Sequence, residues 1–334
     1  MAGAFDSEIA AWLEAYRAPD IDYRDVAAVR ALTARYMAEH GGPAPRWPRE
    51  DVRMDAIRIG GVDALLWRPR HTDDALPVVL AFHGGAFIVG GPLGAERIAV
   101  PLAAEHGIAT VSLAYPLAPE HRAPAARDAA RSALAGRGDL AWVDPERVAV
   151  HGSSAGAALA AGLALHARDQ GIRLLLQSLT CPALDSRSPF ARDVDHSMQG
   201  ISPTLTRDSV IAMWEHYLGG AIAEAPSLEH VVPALASDLH GVAPAHLTVA
   251  EYDVLRDEAL DYAQRLEDAG VEVSVDLVAG TVHGFDGLLP DSQVARASIA
   301  RQVRARGAGA DDEDVRGSHG PIVPRGDRVG DPRV

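Results

Sequence analysis

The sequence predicts an α/β protein: a mostly parallel sheet of eight strands with helices on both faces. Three observations predict it. Short continuous apolar runs recur along the chain, as in strands buried on both sides. Helical patterns separate these runs from about residue 96 onward. An antiparallel pair opens the series, since Val52 to Ile59 and Val62 to Arg68 flank the turn signal Gly60-Gly61.

Residues 1–48 form a helical segment. Ile9, Trp12, Leu13 and Tyr16, then Val29, Leu32, Tyr36 and Met37, fall at helical spacing, and Gly41-Gly42-Pro43-Ala44-Pro45 ends the pattern. Its apolar stripes need cover, and a lid over a site is one way to give it. Residues 49–306 hold the main domain. After the hairpin, strands are expected at Val78 to Phe82, Ile108 to Tyr115, Val148 to His151, Leu174 to Leu179, His246 to Ala250 and Val271 to Val278. Helices are expected at Glu96 to His106, Ala123 to Ala135, Ala157 to Gln170, Asp257 to Ala269 and Ser292 to Arg306. Between Asp185 and Pro244 no strand pattern occurs. A helical run with Val210, Ile211, Met213, Trp214, Tyr217 and Leu218 lies there, which reads as an insertion at about 187–220 on the sheet's C-terminal rim. The tail, 307–334, is rich in Gly, Asp, Arg and Pro, a composition expected to be disordered.

Composition excludes several function classes. The 334 residues carry a net charge of −15, which argues against a nucleic-acid partner. No lysine occurs, so Schiff-base chemistry, pyridoxal-phosphate attachment and a phosphate-loop lysine are absent. The single cysteine, Cys181, follows an apolar run and reads as a small buried hydrophobe. No metal-ligand spacing of the His-Glu-x-x-His or paired-cysteine type occurs, and no cofactor is expected. No apolar stretch is long enough to span a bilayer and no secretory leader is seen, so a cytoplasmic location is the expectation.

The chemistry concentrates at Val148-Ala149-Val150-His151-Gly152-Ser153-Ser154-Ala155-Gly156. A Gly-x-Ser-x-Gly between a strand and a helix is the setting of a nucleophile elbow, with Gly152 and Gly156 leaving room for the turn and Ser154 at its centre. A serine nucleophile needs a base, an acid to orient it and donors for the oxyanion. His83-Gly84-Gly85-Ala86-Phe87 follows a strand directly, so the backbone N–H groups of Gly85 and Ala86, with that of Ala155, are the candidate donors. His83 is expected to brace this loop. His283 follows the last strand and is the candidate base; Asp253, in the loop after the preceding strand, is the candidate acid, with Glu251 in reserve. Asp257 and Glu258 open a helix and suit its dipole. Trp12, Tyr16, Met213, Trp214 and Leu288 are candidate acyl-pocket residues or plain core.

Five stretches resemble the hormone-sensitive-lipase-like (bacterial family IV) esterases of the α/β-hydrolase fold. They are His83 to Phe87, Tyr115-Pro116-Leu117-Ala118-Pro119-Glu120-His121, Asp144 to Gly156, Glu251 to Glu258 and His283-Gly284-Phe285. The resemblance implies a Ser154/Asp253/His283 triad, a helical cap made of the N-terminal segment and the insertion, and cofactor-free hydrolysis of short- to medium-chain carboxylic esters. It also implies a homodimer through the last strand's edge, about Val271 to Val278. An amidase or deacetylase using the same triad, or a non-catalytic ligand-binding relative, are the alternatives. The chain departs from the family pattern at Ser153 (usually an acid), Ala157 and Ala86 (usually glycines) and Pro116 (usually arginine, whose loss removes an ion pair).

Overall fold

The computed structural model describes residues 5–15, 22–39, 49–72, 75–187, 205–219 and 228–310. Tyr16, the Gly41–Pro45 break, most of the insertion and the tail beyond Ala310 lie outside the described residues.

Eight strands among the described residues make one sheet: β1 (Val52–Ile59), β2 (Val62–Pro69), β3 (Leu76–Phe82), β4 (Ala109–Leu113), β5 (Val143–Ser153), β6 (Gln177–Thr180), β7 (Ala245–Tyr252) and β8 (Val273–Val282). The order is β1-β2-β4-β3-β5-β6-β7-β8. β1 and β2 pair antiparallel, as does β2 with β4, and all other neighbours are parallel. The parallel core follows from the apolar runs: every residue of β3, Leu76 to Phe82, is buried.

The helices are α1 (Ser7–Ala15), α2 (Val26–Glu39), α3 (Glu96–His106), α4 (Ala125–Ala135), α5 (Ala155–Asp169), α6 (Arg207–Leu218), α7 (Arg256–Asp268), α8 (Phe285–Leu288) and α9 (Gln293–Ala310). α3 and α9 pack together on one face, where Val79 and Ala149 meet Ile98, Leu102 and Val303. Val78, Leu80, Val150 and Leu247 belong to the large core on the other face, shared with α4, α5 and α7.

Most boundaries differ from the sequence reading by a few residues, β8 for example running to Val282, and three of the differences have a local reason. β5 starts at Val143, running through Asp144-Pro145-Glu146-Arg147, a polar stretch that a hydrophobicity pattern reads as a turn. β6 is confined to Gln177–Thr180, although Leu174 and Leu176 before it are buried. α9 continues past Arg306 into the stretch assigned to the tail, since Ala308 and Ala310 favour helix.

The N-terminal helices dock on the sheet's rim. Asp6 caps α1 through Glu8 and Ile9, and its N–H donates to Gly280 O at 3.0 Å. α2 is tied down by Arg30, whose guanidinium donates to both Glu120 oxygens at 2.6 and 2.7 Å and to the carbonyls of Ile88 and Ala118. Glu120 of the Tyr115–His121 motif thus has its ion pair with an arginine from the N-terminal segment. Between β6 and β7 the described residues hold no strand, and α6 opens with Thr206 Oγ1 capping Ser209 N. No helix among the described residues is long and apolar enough to cross a membrane.

Leu80 sits fully buried at the middle of β3. Leu80→Ala is expected to lower stability by about 2–5 kcal/mol, read as a lower urea midpoint with an unchanged slope.

Candidate active site

Ser154 stands between β5 and α5 with φ 53° and ψ −121°. That left-handed backbone is forced by how closely strand and helix approach. A Cβ on Gly152 would lie 2.2 Å from Gly156 O and 2.5 Å from Ala157 Cα, and one on Gly156 would lie 2.2 Å from Phe82 O. Neither position admits a side chain. Ser154 N donates to Thr180 O at 2.8 Å, and its carbonyl accepts from Ala157 N and Ala183 N.

The structure brings the three distant side chains together. Ser154 Oγ is 2.9 Å from His283 Nε2, and His283 Nδ1 is 2.7 Å from Asp253 Oδ2. Asp253 Oδ1 accepts from Leu255 N at 3.0 Å, so both carboxylate oxygens are engaged. Asp253 is 2 % exposed. Burial by itself pushes His283 down, but the charge and hydrogen bond of Asp253, with the charge of Asp286, outweigh it. The net pKa lies above the ordinary imidazole value. The geometry gives a hydroxyl facing an imidazole whose far nitrogen is fixed as a donor to a buried carboxylate.

The loop after β3 passes against this centre. A Cβ on Gly84 would lie 3.2 Å from Ser153 O and 3.4 Å from the Ser154 Cβ. Gly85 has φ 124°, and Ala86 and Phe87 follow at φ 53° and 60°. A run of positive φ is why glycine suits this loop, and Ala86 is held there at a strain of about 1–3 kcal/mol. Ile88 N and Val89 N close the turn on Gly85 O. Phe87 stacks on Tyr217 of α6 with centroids 3.8 Å apart.

His83 is away from Ser154's hydrogen bonds and braces the loop. Its Nδ1 is 2.8 Å from Gly84 O, its ring stacks on Tyr115, and the Tyr115 hydroxyl donates to His83 O at 2.7 Å. Burial, opposed by the Gly84 contact, pulls its pKa to about 4, so it stays neutral.

Glu251 serves elsewhere: its Oε2 accepts Gly280 N at 2.7 Å, steadying the strand that leads to His283. Glu258, at the start of α7, is drawn inward to accept Leu184 N and Asp185 N, and only Asp257 stays at the helix surface beside Arg256. Met213 and Trp214 are buried in the main core, while Trp12 and Leu288 are half-buried.

Two neighbours of the centre were not singled out from sequence. Cys181 is buried, as expected, but its sulfur lies within 4.8 Å of donor atoms of both Asp253 and His283. Burial, then Asp253 and Asp286, push its thiol well up, so it stays protonated. Asp286 is 1 % exposed and paired with Arg97 at 3.1 Å. Its place three residues after His283 was the only signal.

Comparisons with known proteins agree with this fold. A family model described as the alpha/beta hydrolase fold matches residues 79–287. Esterase LipI of Mycobacterium tuberculosis is 35% identical over 73% of this chain and 78% of its own length. Carboxylesterase NlhH of the same species is 36% identical over 70% and 76% respectively. Among solved structures, a bacterial heroin esterase superposes with a TM-score of 0.83 at 31% identity, over 92% of this chain and 98% of its own. An esterase from Pyrobaculum calidifontis superposes at 0.76, with 29% identity over 92% and 99%. The chain belongs to the α/β-hydrolase family to which the sequence motifs point.

Replacing Asp253 by Asn removes the larger opposing charge and the charged hydrogen bond, leaving only Asp286 against burial. The His283 titration midpoint, followed by NMR of its ring protons, is expected to fall from above the ordinary imidazole value to below it.

Proposed function

We infer that this chain is a carboxylesterase, a serine hydrolase acting on carboxylic esters of short to medium acyl chains. The observation that supports it is the continuous hydrogen-bonded chain from Ser154 through His283 to Asp253.

In the proposed mechanism Ser154 Oγ attacks the ester carbonyl while His283 Nε2 takes its proton. Asp253, holding Nδ1–H, stabilises the imidazolium that forms. The carbonyl oxygen, now negative, is held by the N–H groups of Gly85, Ala86 and Ala155, the last at the positive end of α5. His283 then gives its proton to the leaving alkoxide, which departs as the alcohol. Water attacks the acyl-enzyme by the same proton path and releases the acid. No step calls for a metal or cofactor.

A homodimer through the open edge of β8 is part of this proposal. Val273 to Val278 pair with β7 on one side, and Leu277 is exposed. A cytoplasmic setting accords with the single, buried Cys181. Sedimentation is expected to give twice the chain mass, and Val275→Pro on this edge to give the monomer.

Wild type is expected to hydrolyse p-nitrophenyl acetate and butyrate, with Ser154→Ala losing at least about 10³-fold in kcat. A fluorophosphonate probe is expected to label wild type and not the variant. Equal hydrolysis by both proteins overturns the assignment.

A further inference from the structure

The two faces of the sheet differ in chemistry. Toward α5, the central strands present Val150, Leu179, Leu247 and Val249. Toward α9, the laterally paired residues His151, Ser178, His246 and Ser274 form a polar row across β5 to β8, with Thr180 and Thr248 two positions further along. The first three of the row are at most 7 % exposed. α9 lays Ser298, Gln302 and Arg306 over it, all buried. Several groups satisfy each other: Thr180 Oγ1 donates to Gln302 Oε1 at 3.1 Å, and His246 Nδ1 meets Ser274 Oγ at 2.8 Å.

Charge is not balanced in the same way. Arg306 is 2 % exposed. Its Nη2 donates to His151 Nδ1 at 2.6 Å and, weakly, to Gln302 Oε1 at 3.5 Å. Nε and Nη1 have no partner among the described residues, and neither has Ser178 Oγ. His151 Nδ1 is also 3.1 Å from Ser178 O, so the guanidinium lies over the β5–β6 pair, beside Ser178. Asp286, whose charge acts on Arg306, is already bonded to Arg97, and Asp276 is taken by Arg301. Burial keeps His151 and His246 neutral. Among the described residues, then, no carboxylate is bonded to the Arg306 guanidinium. Burial pulls Arg306 to about 9, with Arg97 acting the same way and Asp286 against it, so it remains charged at neutral pH. An uncompensated buried charge is strongly destabilising.

We propose that Arg306 Nε and Nη1, with Ser178 Oγ, bind a small monovalent anion of the halide type between α9 and the sheet. A water would satisfy the donors and leave the charge, whereas a monovalent anion satisfies both. A single negative charge matches the single charge of Arg306. The site uses none of Ser154, His283 or Asp253.

The test is thermal melting of the wild-type protein in sodium bromide or chloride against sodium gluconate at constant ionic strength, with bromide-edge diffraction from crystals grown in bromide. The expected results are a saturable rise in Tm with halide and an anomalous peak at the Arg306 guanidinium. Arg306→Met is expected to abolish the halide dependence. Should that variant fail to fold, Ser178→Ala is expected to raise the apparent Kd for bromide about tenfold, the effect of losing one donor. Equal Tm values in halide and gluconate, or no bromide peak at Arg306, overturn the proposal.

Discussion

The close crossing of β5 and α5 is the constraint on which the site depends. Because Gly152 brings the end of β5 against the first turn of α5, and Gly156 brings that turn against the end of β3, Ser154 must turn through a left-handed conformation, and its hydroxyl faces His283. Such strain, about 1–3 kcal/mol, persists only where neighbours over-determine it. Here Thr180 O, Ala157 N and Ala183 N fix both polar groups of the Ser154 backbone. The sheet order does the rest: β3 lies on one side of β5 and carries the glycine loop, while β7 and β8 bring Asp253 and His283 from the other.

Charge, rather than burial, then distinguishes the histidines. His83, His151 and His283 are all withdrawn from water. His83 and His151 lose the ability to protonate, the first among Tyr115 and backbone, the second beside Arg306. His283 meets Asp253 directly and Asp286 at longer range, and its pKa rises instead. In the proposed mechanism His283 accepts a proton from serine and holds it briefly, and Asp253 supports that charge; the other two histidines stay neutral.

Most of the fold was legible because parallel strands buried on both sides announce themselves as apolar runs, as β3 does. The three site residues were legible because Ser154, Asp253 and His283 each sit just after such a run. What sequence could not give is lateral. That His151, Ser178, His246 and Ser274 share one row follows from register between strands far apart in the chain. Cys181 looked like a hydrophobe because nothing local places it beside Asp253. Glu251, near the end of β7, and Asp253, just after it, are two residues apart, and only the fold separates a carboxylate that steadies Gly280 from one that meets His283. β5 was under-read for a local reason, the polar Asp144 to Arg147 stretch, whose strand geometry is set by pairing with Leu76 rather than by propensity.

The glycine loop after β3 also joins the outer segments to the catalytic centre. From one side Arg30 of α2 donates to Ile88 O and Ala118 O while clamping Glu120. From the other, Phe87 packs its ring on Tyr217 and Trp214 of α6. The two outer helices meet as well, through His216 with Tyr23 O at 3.0 Å and Arg24 with Glu215. Ala86 and Phe87 hold unfavourable positive φ values, so the loop needs restraint, and that restraint comes from both helices. Arg30, reaching from the N-terminal segment, makes the shape of the loop depend on that segment being docked. The contacts that dock these two helices therefore also set the shape of the glycine loop that passes beside Ser154.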